Sequence, residues 1–364
     1  MKILYIVPDI TDSGGIARVI SLKTNYLVEN LNYQVSLLSV TNTYPNVFYD
    51  FNQKTKWYTI APSNNKILFL IKYIRYINKT IVIDKPDVIV VCDAVLWLFV
   101  PWFLKTKIPL IFETHFSIRF QKKGYTSLYR RIRNKLIVSW RKKTINLFKV
   151  AVFETIQGSK EWGVENSKVI ANPASFLVNE QASLINKKAM AVCMNPYVKG
   201  LDRLFTIWKK IILKHPDWIL DVYGHWTTNI EYINKAKLLK IEQNINFLPP
   251  TTAIYDSYLQ ASVFLMTSRY EAFGMVLIES MAVGLPCVAY DCPCGPGAVI
   301  DDGINGFLIE DGNVDDYVEK VLNIIEDEDL RIKIGIDAKK SVHKYTIEVI
   351  MQEWEKLFVN VVND

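Results

Sequence analysis

Two glutamates, Glu271 and Glu279, stand eight residues apart in the stretch SRYEAFGMVLIESMAVGLPCV, residues 268–288. An apolar, β-favouring run precedes Glu271, and the chain is predicted to turn helical from about Phe273 and to stop at Gly284. Eight residues at 3.6 residues per turn return to nearly the same helix face, about 12 Å further along the axis. That spacing suits a ribose–diphosphate–hexose unit, with one carboxylate at the sugar and the other at the ribose.

The start of this helix is predicted to bind phosphate. Its first backbone N–H groups lack intrahelical acceptors, and the helix dipole adds positive potential at the same end. The N–H groups concerned are those of Phe273, Gly274, Met275 and Val276. The stretch therefore combines a phosphate-binding turn with two carboxylates suited to sugar hydroxyls.

The composition predicts two domains with full hydrophobic cores. The chain has 364 residues, and half of them are hydrophobic. It contains no run of 18 uncharged apolar residues, so no transmembrane helix is predicted. The opening residues MKILYIVP lack the long apolar core and cleavage site of a signal peptide, and they favour a first strand.

The cysteines favour a reduced, cytoplasmic protein. There are five, an odd number, and three lie in apolar strand-like runs. Cys292 and Cys294 are close enough to suggest a metal or redox pair, but the chain offers no second pair and only four histidines. The sequence therefore predicts no metal site.

The charge is divided unevenly along the chain. Residues 1–150 carry 23 Lys and Arg against 8 Asp and Glu, a net charge of +15, whereas the remainder carries 20 against 29, a net charge of −9. The two halves are therefore expected to have different partners. Because the second half is acidic, a nucleic-acid-binding protein is the least favoured class.

A basic stretch over residues 119–143 holds ten Lys and Arg and no acid, with aromatic residues between them. Part of it has helical periodicity, and a basic amphipathic helix with aromatic residues favours an anionic membrane surface. Nucleic acid is the rival partner for any basic patch, and a solvated helix is the structural alternative. The residues predicted to face the membrane are Arg130, Arg131, Arg133 and Trp140.

The chain opens with the order expected of a nucleotide-binding fold. A strand over residues 2–7 is followed by a loop that ends in Gly14 and Gly15, and then by a helix over residues 16–31. The loop is not G-x-G-x-x-G, so a dinucleotide is not favoured. Residues 41–65 are rich in Asn, Thr and Tyr and are predicted to be irregular.

His115 is predicted to lie at a ligand-binding edge. It follows a strand over residues 109–113, and ligands in open α/β sheets gather beyond the carboxyl ends of the strands. A structural histidine is the alternative for this residue.

The two glutamates and their neighbours, S-R-x-E-x-F-G-x-x-x-x-E-x-M-A-x-G-x-P, resemble the signature of the glycosyltransferase family 4 enzymes. Two Glu at this spacing would indicate nothing alone, but the flanking Phe-Gly, Met-Ala, Gly and Pro make the pattern specific. The resemblance extends to K-G-x-D-R-L at residues 199–204, to D-G-x-N-G-F at 302–307 and to G-G-x-x-R at 14–18. It is loose over residues 40–105.

The resemblance implies an α/β chain of the GT-B fold, with two facing, doubly wound Rossmann-like domains and an active site in the cleft between them. Residues 1–173 would bind the acceptor, and residues 174–346 would bind the nucleotide-sugar donor. The terminal helix, about residues 347–364, would pack back on the first domain.

The resemblance also implies the catalytic residues. Glu271 would hydrogen-bond the donor hexose and stabilise developing positive charge, while His115 would approach the reacting carbon of the sugar. Negative charge would grow on the leaving diphosphate in an oxocarbenium-like transition state, so electrostatic support of that group is needed.

The donor-binding residues follow from the same resemblance. Lys199, the N–H groups of residues 273–276 and the loop of Gly14 and Gly15 would hold the diphosphate, and Glu279 would bind the ribose. The family usually has an Arg about five residues before the Lys, where Met194 stands, so a weaker phosphate clamp is expected. Further candidates are Arg18, Arg203 and Gly224.

The implied reaction is transfer, with retention, of a hexosyl or N-acetylhexosaminyl unit from a nucleotide sugar, expected to be UDP-linked, to a glycan acceptor. The acceptor would be lipid-linked, in cell-surface polysaccharide assembly, and the enzyme would lie on the cytoplasmic face of the plasma membrane. No metal or other cofactor is expected. A nucleotide-sugar epimerase of the same fold and a non-catalytic sugar- or lipid-binding protein are the alternatives.

Overall fold

The computed structural model describes residues 1–41, 47–93, 96–104, 106–118, 128–176 and 178–364. Within residues 128–134, the side chains of residues 128–131 and 134 are not described. The chain divides into two compact α/β units. Unit 1 contains Met1–Pro173 and Ile347–Asp364, and unit 2 contains Ala174–Thr346.

Unit 1 is built on a seven-stranded parallel sheet in the order β3-β2-β1-β4-β5-β6-β7. In chain order the strands are β1 (Lys2–Val7), β2 (Gln34–Val40), β3 (Lys56–Ile60), β4 (Val88–Cys92), β5 (Leu110–Thr114), β6 (Val150–Phe153) and β7 (Ser167–Val169). The strand order reverses beside β1, which makes this a doubly wound sheet with helices on both faces.

The helices of unit 1 cover the two faces of this sheet. They are α1 (Gly15–Glu29), α2 (Lys66–Asp84), α3 (Val100–Phe103), α4 (Leu128–Ile145), α5 (Ile156–Trp162) and the terminal α12 (Ile347–Asn363). One face carries a core in which α2, α3 and α4 pack on alternate strand residues such as Leu4, Val91 and Phe112. Because side chains alternate along a strand, Tyr5, Cys92 and Glu113 point to the other face, where α1 and α12 lie.

Unit 2 has a six-stranded parallel sheet in the order β10-β9-β8-β11-β12-β13. The strands are β8 (Lys188–Val192), β9 (Ile219–Tyr223), β10 (Ile245–Leu248), β11 (Val263–Met266), β12 (Cys287–Asp291) and β13 (Phe307–Glu310). The helices are α6 (Leu201–Lys214), α7 (Ile230–Leu239), α8 (Ile254–Leu259), α9 (Met275–Ala282), α10 (Val314–Glu326) and α11 (Glu328–Ser341). Amphipathic α6 and α10 bury Trp208 and Tyr317 against the sheet.

One element of unit 1 differs from the sequence-based expectations. Residues 41–65 are not wholly irregular, because Lys56–Ile60 form β3, which pairs in parallel with β2. This strand lies at the edge of the sheet and is only half-buried, so its sequence, KWYTI, lacks the apolar run that marks a central strand.

None of the helices in the described parts of the chain has both the length and the apolar character needed to cross a bilayer.

Candidate active site

The predicted phosphate-binding turn lies between β11 and α9 of unit 2. The helix begins at Met275, two residues later than predicted, because Gly274 adopts a left-handed backbone with φ of 96° and caps it. Glu271 therefore precedes the helix, and the 3.6-residue periodicity assumed for Glu271 and Glu279 does not relate them. Phe273 and Gly274 lie just before the helix, and Met275 and Val276 form its first turn, as a phosphate-binding amide cluster requires.

Glu271 is paired with Lys199. Lys199 Nζ lies 2.5 Å from Glu271 Oε1, and Ser268 Oγ donates to the same oxygen at 2.7 Å. Burial lowers the pKa of Lys199, but the carboxylate of Glu271 outweighs burial and raises it overall. The pair is only partly enclosed, since 20% of the Lys199 side chain and 10% of the Glu271 side chain remain exposed.

Two glycines allow the loops around this pair to approach closely. Gly200 has φ of 65°, and a Cβ there would lie 2.0 Å from the carbonyl oxygen of Thr267. A Cβ on Gly295 would lie 2.4 Å from Cβ of Glu271. Any side chain at either position would push apart the segments that bring Lys199 and Glu271 together.

Glu279 lies on the buried side of α9, where two hydroxyl groups hold it. Ser175 Oγ donates to its Oε1 at 2.5 Å, and the hydroxyl of Tyr258 donates to its Oε2 at 3.1 Å. The residue is 8% exposed. The carboxylate is thus held through both of its oxygens.

The two remaining candidates of unit 2 have structural partners. Arg203 forms an ion pair with Asp311 at 2.5 Å and lies 5.7 Å from the ring centroid of Tyr290. Gly224 follows β9, and a Cβ there would lie 2.7 Å from the carbonyl oxygen of Cys193, so close packing alone accounts for this glycine. Met194, which replaces the expected Arg, follows β8 and is half-buried.

The predicted glycine loop of unit 1 precedes α1. Gly14 is the N-cap of the helix, and its N–H donates to Asp12 Oδ1 at 3.0 Å. Gly15 begins the helix, and a Cβ there would meet no described atom within 4 Å. The guanidinium of Arg18 stacks over the ring of Tyr49, 4.9 Å from its centroid. The structure thus places Gly14, Gly15 and Arg18 together at one helix start.

His115 follows β5, but its imidazole points into unit 1. The side chain is 6% exposed, with Nδ1 2.5 Å from Glu154 Oε1 and Nε2 3.1 Å from Glu113 Oε1. Burial lowers the pKa of this imidazole, but Cys92, Glu154 and Glu113 together outweigh burial and raise it well above its usual value. A contact between the imidazole and a sugar therefore stays a prediction, and it requires the ring to turn outward.

The comparisons with known proteins agree with the motifs in both units. A profile described as Glycosyltransferase Family 4 matches residues 13–155, and one described as Glycosyl transferases group 1 matches residues 182–341. The chain belongs to the family 4 glycosyltransferases. An uncharacterized glycosyltransferase of Haemophilus influenzae is 29% identical over 97% of this chain and 99% of its own length. The amylovoran biosynthesis glycosyltransferase AmsD of Erwinia amylovora is 26% identical, over 98% of this chain and 99% of its own.

Solved structures identify the fold of this glycosyltransferase as GT-B. Sucrose-phosphate synthase from Thermosynechococcus elongatus aligns with a TM-score of 0.84 at 16% identity, covering 99% of each chain. A mutant of TarM from Staphylococcus aureus, in complex with fondaparinux, alpha-GlcNAc-glycerol and UDP, aligns with a TM-score of 0.79 at 15% identity. That alignment covers 98% of this chain and 99% of TarM.

Among the residues that the structure describes, one group of side chains has the spacing of a metal site. Ligand atoms of Cys92, Glu113 and His115 lie within 4.8 Å of one another. However, both oxygens of Glu113 accept hydrogen bonds from Lys23, whose charge would repel a cation. Burial raises the pKa of the Cys92 thiol to about 12, so it stays protonated. This group does not fit a metal ion.

The basic helix predicted to face a membrane is present as α4. Residues 119–127 of the basic stretch, and the side chains of Arg130 and Arg131, lie outside what the structure describes. Arg133 is exposed, and Trp140 keeps 39% of its surface exposed. Two apolar side chains of the helix are also open, with Ile132 52% and Leu136 66% exposed.

Sequence reasoning missed an aromatic element beside this helix. Trp102 and Phe103, in α3, are 54% and 53% exposed. Trp102 Nε1 donates to Thr144 Oγ1 in α4 at 3.1 Å, and Phe99 packs edge-on against Trp140. The run WLFVPWF was a usable signal, because aromatic residues around a proline are unusual in a short connection between strands.

The residues that hold the candidate site residues were also missed. They are distant along the chain, so no local pattern could have paired them: Glu154 with His115, and Ser175 with Glu279. Only Ser268 lay inside the recognised motif, three residues before Glu271.

Proposed function

We propose that the chain is a retaining glycosyltransferase that moves a hexosyl or N-acetylhexosaminyl unit from a UDP-linked sugar to a glycan acceptor in cell-surface polysaccharide assembly. The observation that carries this proposal is the partly exposed pair of Lys199 and Glu271 at the start of α9. It offers one cation and one anion beside a phosphate-binding helix start.

The chemistry needs both charges of this pair. As the bond to the diphosphate breaks, negative charge grows on the leaving oxygen and positive charge grows on the sugar ring. Lys199 and the N–H groups of residues 273–276 support the leaving group. Glu271 supports the sugar ring. Lys199 and Ser268 both donate to its Oε1, whereas Oε2 accepts no hydrogen bond from the residues that the structure describes. Oε2 is therefore the oxygen that faces the ring.

Glu279 is proposed to bind the ribose of the donor. Ser175 and Tyr258 hold its carboxylate in one orientation, and each carboxylate oxygen has more than one acceptor position. The ribose hydroxyls can therefore donate further hydrogen bonds to the Glu279 carboxylate, or they can replace those from Ser175 and Tyr258. His115 is proposed to reach the sugar near the reacting carbon.

The relatives support a UDP-linked donor and a glycan acceptor. TarM was solved with UDP and alpha-GlcNAc-glycerol, and HepE of Anabaena with UDP-glucose. Poly(ribitol-phosphate) alpha-N-acetylglucosaminyltransferase of Staphylococcus aureus is 28% identical over 44% of this chain and 33% of its own length. AmsD acts in amylovoran biosynthesis.

The reaction is tested with UDP-glucose, UDP-galactose and UDP-N-acetylglucosamine, each with and without a panel of lipid-linked saccharides. Acceptor-dependent release of UDP, with a product of the same anomeric configuration as the donor by NMR, is the expected result. An altered free sugar nucleotide without acceptor would instead identify an epimerase. Donor binding by calorimetry without turnover on any acceptor would support the non-catalytic alternative.

Metal independence is also proposed, because a lysine and a helix start already support the diphosphate. Turnover should persist in excess chelator. If chelation abolished turnover and magnesium or manganese restored it, the diphosphate would need a cation that Lys199 does not replace.

We further propose that unit 1 docks on the anionic cytoplasmic face of the plasma membrane, where a lipid-linked acceptor would be found. The support is α4, whose exposed Ile132, Leu136 and Trp140 accompany basic residues, and the neighbouring Trp102 and Phe103. Each Lys or Arg near such a surface contributes about 1 kcal/mol, screened by salt. Exposed aromatic residues add binding that salt does not remove.

Liposome co-sedimentation tests this docking. Binding should need anionic lipid, fall with salt, and weaken when Arg130, Arg131 and Arg133 are replaced by Glu. Lys209 and Lys214 of α6, in unit 2, changed to Glu, serve as the control. Equal binding to neutral and anionic vesicles, or none to either, would leave α4 as a solvated helix and favour a soluble acceptor.

A further inference from the structure

Arg269, two residues before Glu271, binds a short segment of unit 2 that also carries Lys199. Its two terminal nitrogens donate to the two carboxylate oxygens of Asp202, in the first turn of α6, at 2.8 and 2.6 Å. One of these nitrogens also donates to the carbonyl oxygen of Tyr197 at 2.7 Å, and the guanidinium lies 4.5 Å from the centroid of the Tyr197 ring. These contacts join two loops that are distant along the chain.

Backbone groups of the same two loops are also in contact. The N–H of Arg269 donates to the carbonyl oxygen of Val198 at 2.8 Å. Thr267 Oγ1 donates to the carbonyl oxygens of Lys199 and Gly200 at 3.2 and 3.0 Å. Neither loop belongs to a strand or a helix, so no regular ladder of hydrogen bonds fixes its position. The separation of the loops therefore depends on the contacts between them.

The ion pair of Arg269 and Asp202 has the geometry of a strong pair. Most exposed ion pairs contribute little to stability, and bidentate pairs between Arg and a carboxylate are among the exceptions. This pair is bidentate, with only 17% of the Arg269 side chain and 29% of the Asp202 side chain exposed. The hydrogen bond from Arg269 lowers the pKa of the Asp202 carboxyl group, so both partners stay charged at neutral pH.

The ion pair of Lys199 and Glu271 cannot join the loops throughout the reaction, because the proposed function requires Lys199 to bind the donor diphosphate. We propose that Arg269 and Asp202 are positioning residues, which hold the two loops at a fixed separation once the donor has opened that pair. A displacement of about 1 Å can lower a rate on the order of 100-fold, so a link that the donor does not break protects the reacting geometry. This role rests on the proposed function.

Arg269→Gln removes the charge and the bidentate bond but leaves Lys199 and Glu271 in place. We expect kcat with the best UDP-sugar to fall at least about tenfold, because the transition state tolerates little displacement of Glu271. Arg269→Lys keeps the charge without the planar guanidinium, so its kcat should lie between those of the wild type and Arg269→Gln. Near-wild-type kcat in folded Arg269→Gln would overturn the proposal.

A double-mutant cycle distinguishes positioning from a general loss of stability. If Arg269 acts through Glu271, Arg269→Gln should change kcat by less than about twofold in protein that already carries Glu271→Gln. An equal fall in both backgrounds would show that Arg269 acts independently of Glu271, which would contradict the proposal. Lys210→Met is the matched control, because it removes the ion pair of the same helix, α6, with Asp315 of α10, and it should leave kcat unchanged.

Asp202→Asn is the second variant in case Arg269→Gln fails to fold. It keeps the shape of the side chain and one acceptor oxygen for Arg269, so it weakens the pair without leaving the guanidinium unpaired. Its kcat should fall at least about threefold, and the fall should again disappear in the Glu271→Gln background. Wild-type kcat in folded Asp202→Asn would count against a positioning role for the pair.

Hydrogen exchange tests the link between the loops without any turnover. Lys199→Met opens the pair with Glu271 in the absence of a ligand, and the amides of residues 197–202 and 267–271 should still exchange nearly as slowly as in the wild type. Adding Arg269→Gln to Lys199→Met should raise their exchange at least about tenfold. Equal exchange in the single and double variants would overturn the proposal. If the wild-type protein transfers no sugar, the proposed function fails, and exchange still decides whether Arg269 holds the loops.

Discussion

Two of the lysine–glutamate pairs among the described residues have nearly equal length but differ in their surroundings. Lys23 and Glu113 are 2.6 Å apart and almost wholly buried, and Lys23 bonds both carboxylate oxygens beneath an aromatic ring. Lys199 and Glu271 are 2.5 Å apart but partly exposed, and only one carboxylate oxygen is used. The first pair is suited to fix a geometry, whereas the second can exchange its partner for a ligand.

Position along the strands explains this difference. Glu113 lies within β5, where the sheet and α1 enclose its side chain. Glu271 lies beyond the end of β11, in a loop that precedes a helix start. The edge beyond the strand ends is where open α/β sheets bind ligands. The same two residue types therefore become structural or ligand-binding according to where the backbone places them.

The largest effect is expected at the exposed pair. Glu271→Gln keeps the shape of the side chain but removes its charge, so the barrier to transfer should rise by about 2–4 kcal/mol while donor binding survives. Turnover with the best UDP-sugar and calorimetry with UDP measure the two quantities. Near-wild-type turnover would show that Glu271 does not stabilise the reacting sugar.

The buried pair should instead control stability in acid. Burial raises the pKa of Glu113, but Lys23 outweighs burial and lowers it to about 2. A carboxylate with a lowered pKa stabilises the fold above its unfolded pKa, about 4.5, and this contribution, on the order of 3 kcal/mol, is lost as the pH falls towards 2. The Tm of the wild-type protein should therefore fall across that range more steeply than that of Lys23→Met/Glu113→Gln.

Asp93 contributes to the pH dependence of stability with the opposite sign. The Lys23→Met/Glu113→Gln variant keeps this contribution. Burial raises the pKa of the Asp93 carboxyl group to about 6. The folded state therefore favours the protonated form of Asp93, and acidification below pH 6 removes a destabilising contribution to folding.

The exposed pair of Lys187 and Asp217 serves as the control for the comparison of Tm, and Asp217→Asn should leave the pH dependence of Tm unchanged. Equal acid sensitivity of the wild type and the double variant would contradict the assignment to Glu113.

The resemblance of the motifs predicted the doubly wound α/β fold, and short apolar runs predicted individual strands, as in β1, β5 and β11. Sequence reasoning missed β3, whose half-buried edge position needs no apolar run. It also placed the start of α9 too early, because the run of residues around Phe273 gives no sign of the left-handed backbone that Gly274 adopts as the N-cap.

The candidate site was predictable only where its residues share a motif. Glu271, Glu279 and residues 273–276 stand in one stretch, so the sequence alone was enough to name them as candidates. The contacts of Lys23 with Glu113 and of Ser175 with Glu279 join residues 90 and 104 positions apart. Such contacts follow from the fold as a whole, and no periodicity or spacing could indicate them.

Lys199 should contribute mainly to donor binding. Lys199→Met removes the charge that meets the diphosphate, and a hydrogen bond to a charged group contributes about 1.5–3 kcal/mol. The affinity for UDP should fall accordingly in calorimetry. Lys210→Met, in an exposed pair with Asp315, is the control and should bind UDP normally. Unchanged affinity in Lys199→Met would place the diphosphate elsewhere.

The smallest effect is expected where a neutral hydroxyl orients a carboxylate. Ser175→Ala removes the hydrogen bond to Glu279 Oε1 but leaves the bond from Tyr258 to Oε2. A typical hydrogen bond contributes about 1 kcal/mol, so UDP affinity should fall roughly fivefold, whereas Glu279→Ala should reduce it further. Because only the ribose end of the ligand is affected, inorganic diphosphate should bind both variants as it binds the wild-type protein. Equal loss for UDP and diphosphate would show that Glu279 acts on the fold of α9 rather than on the ribose.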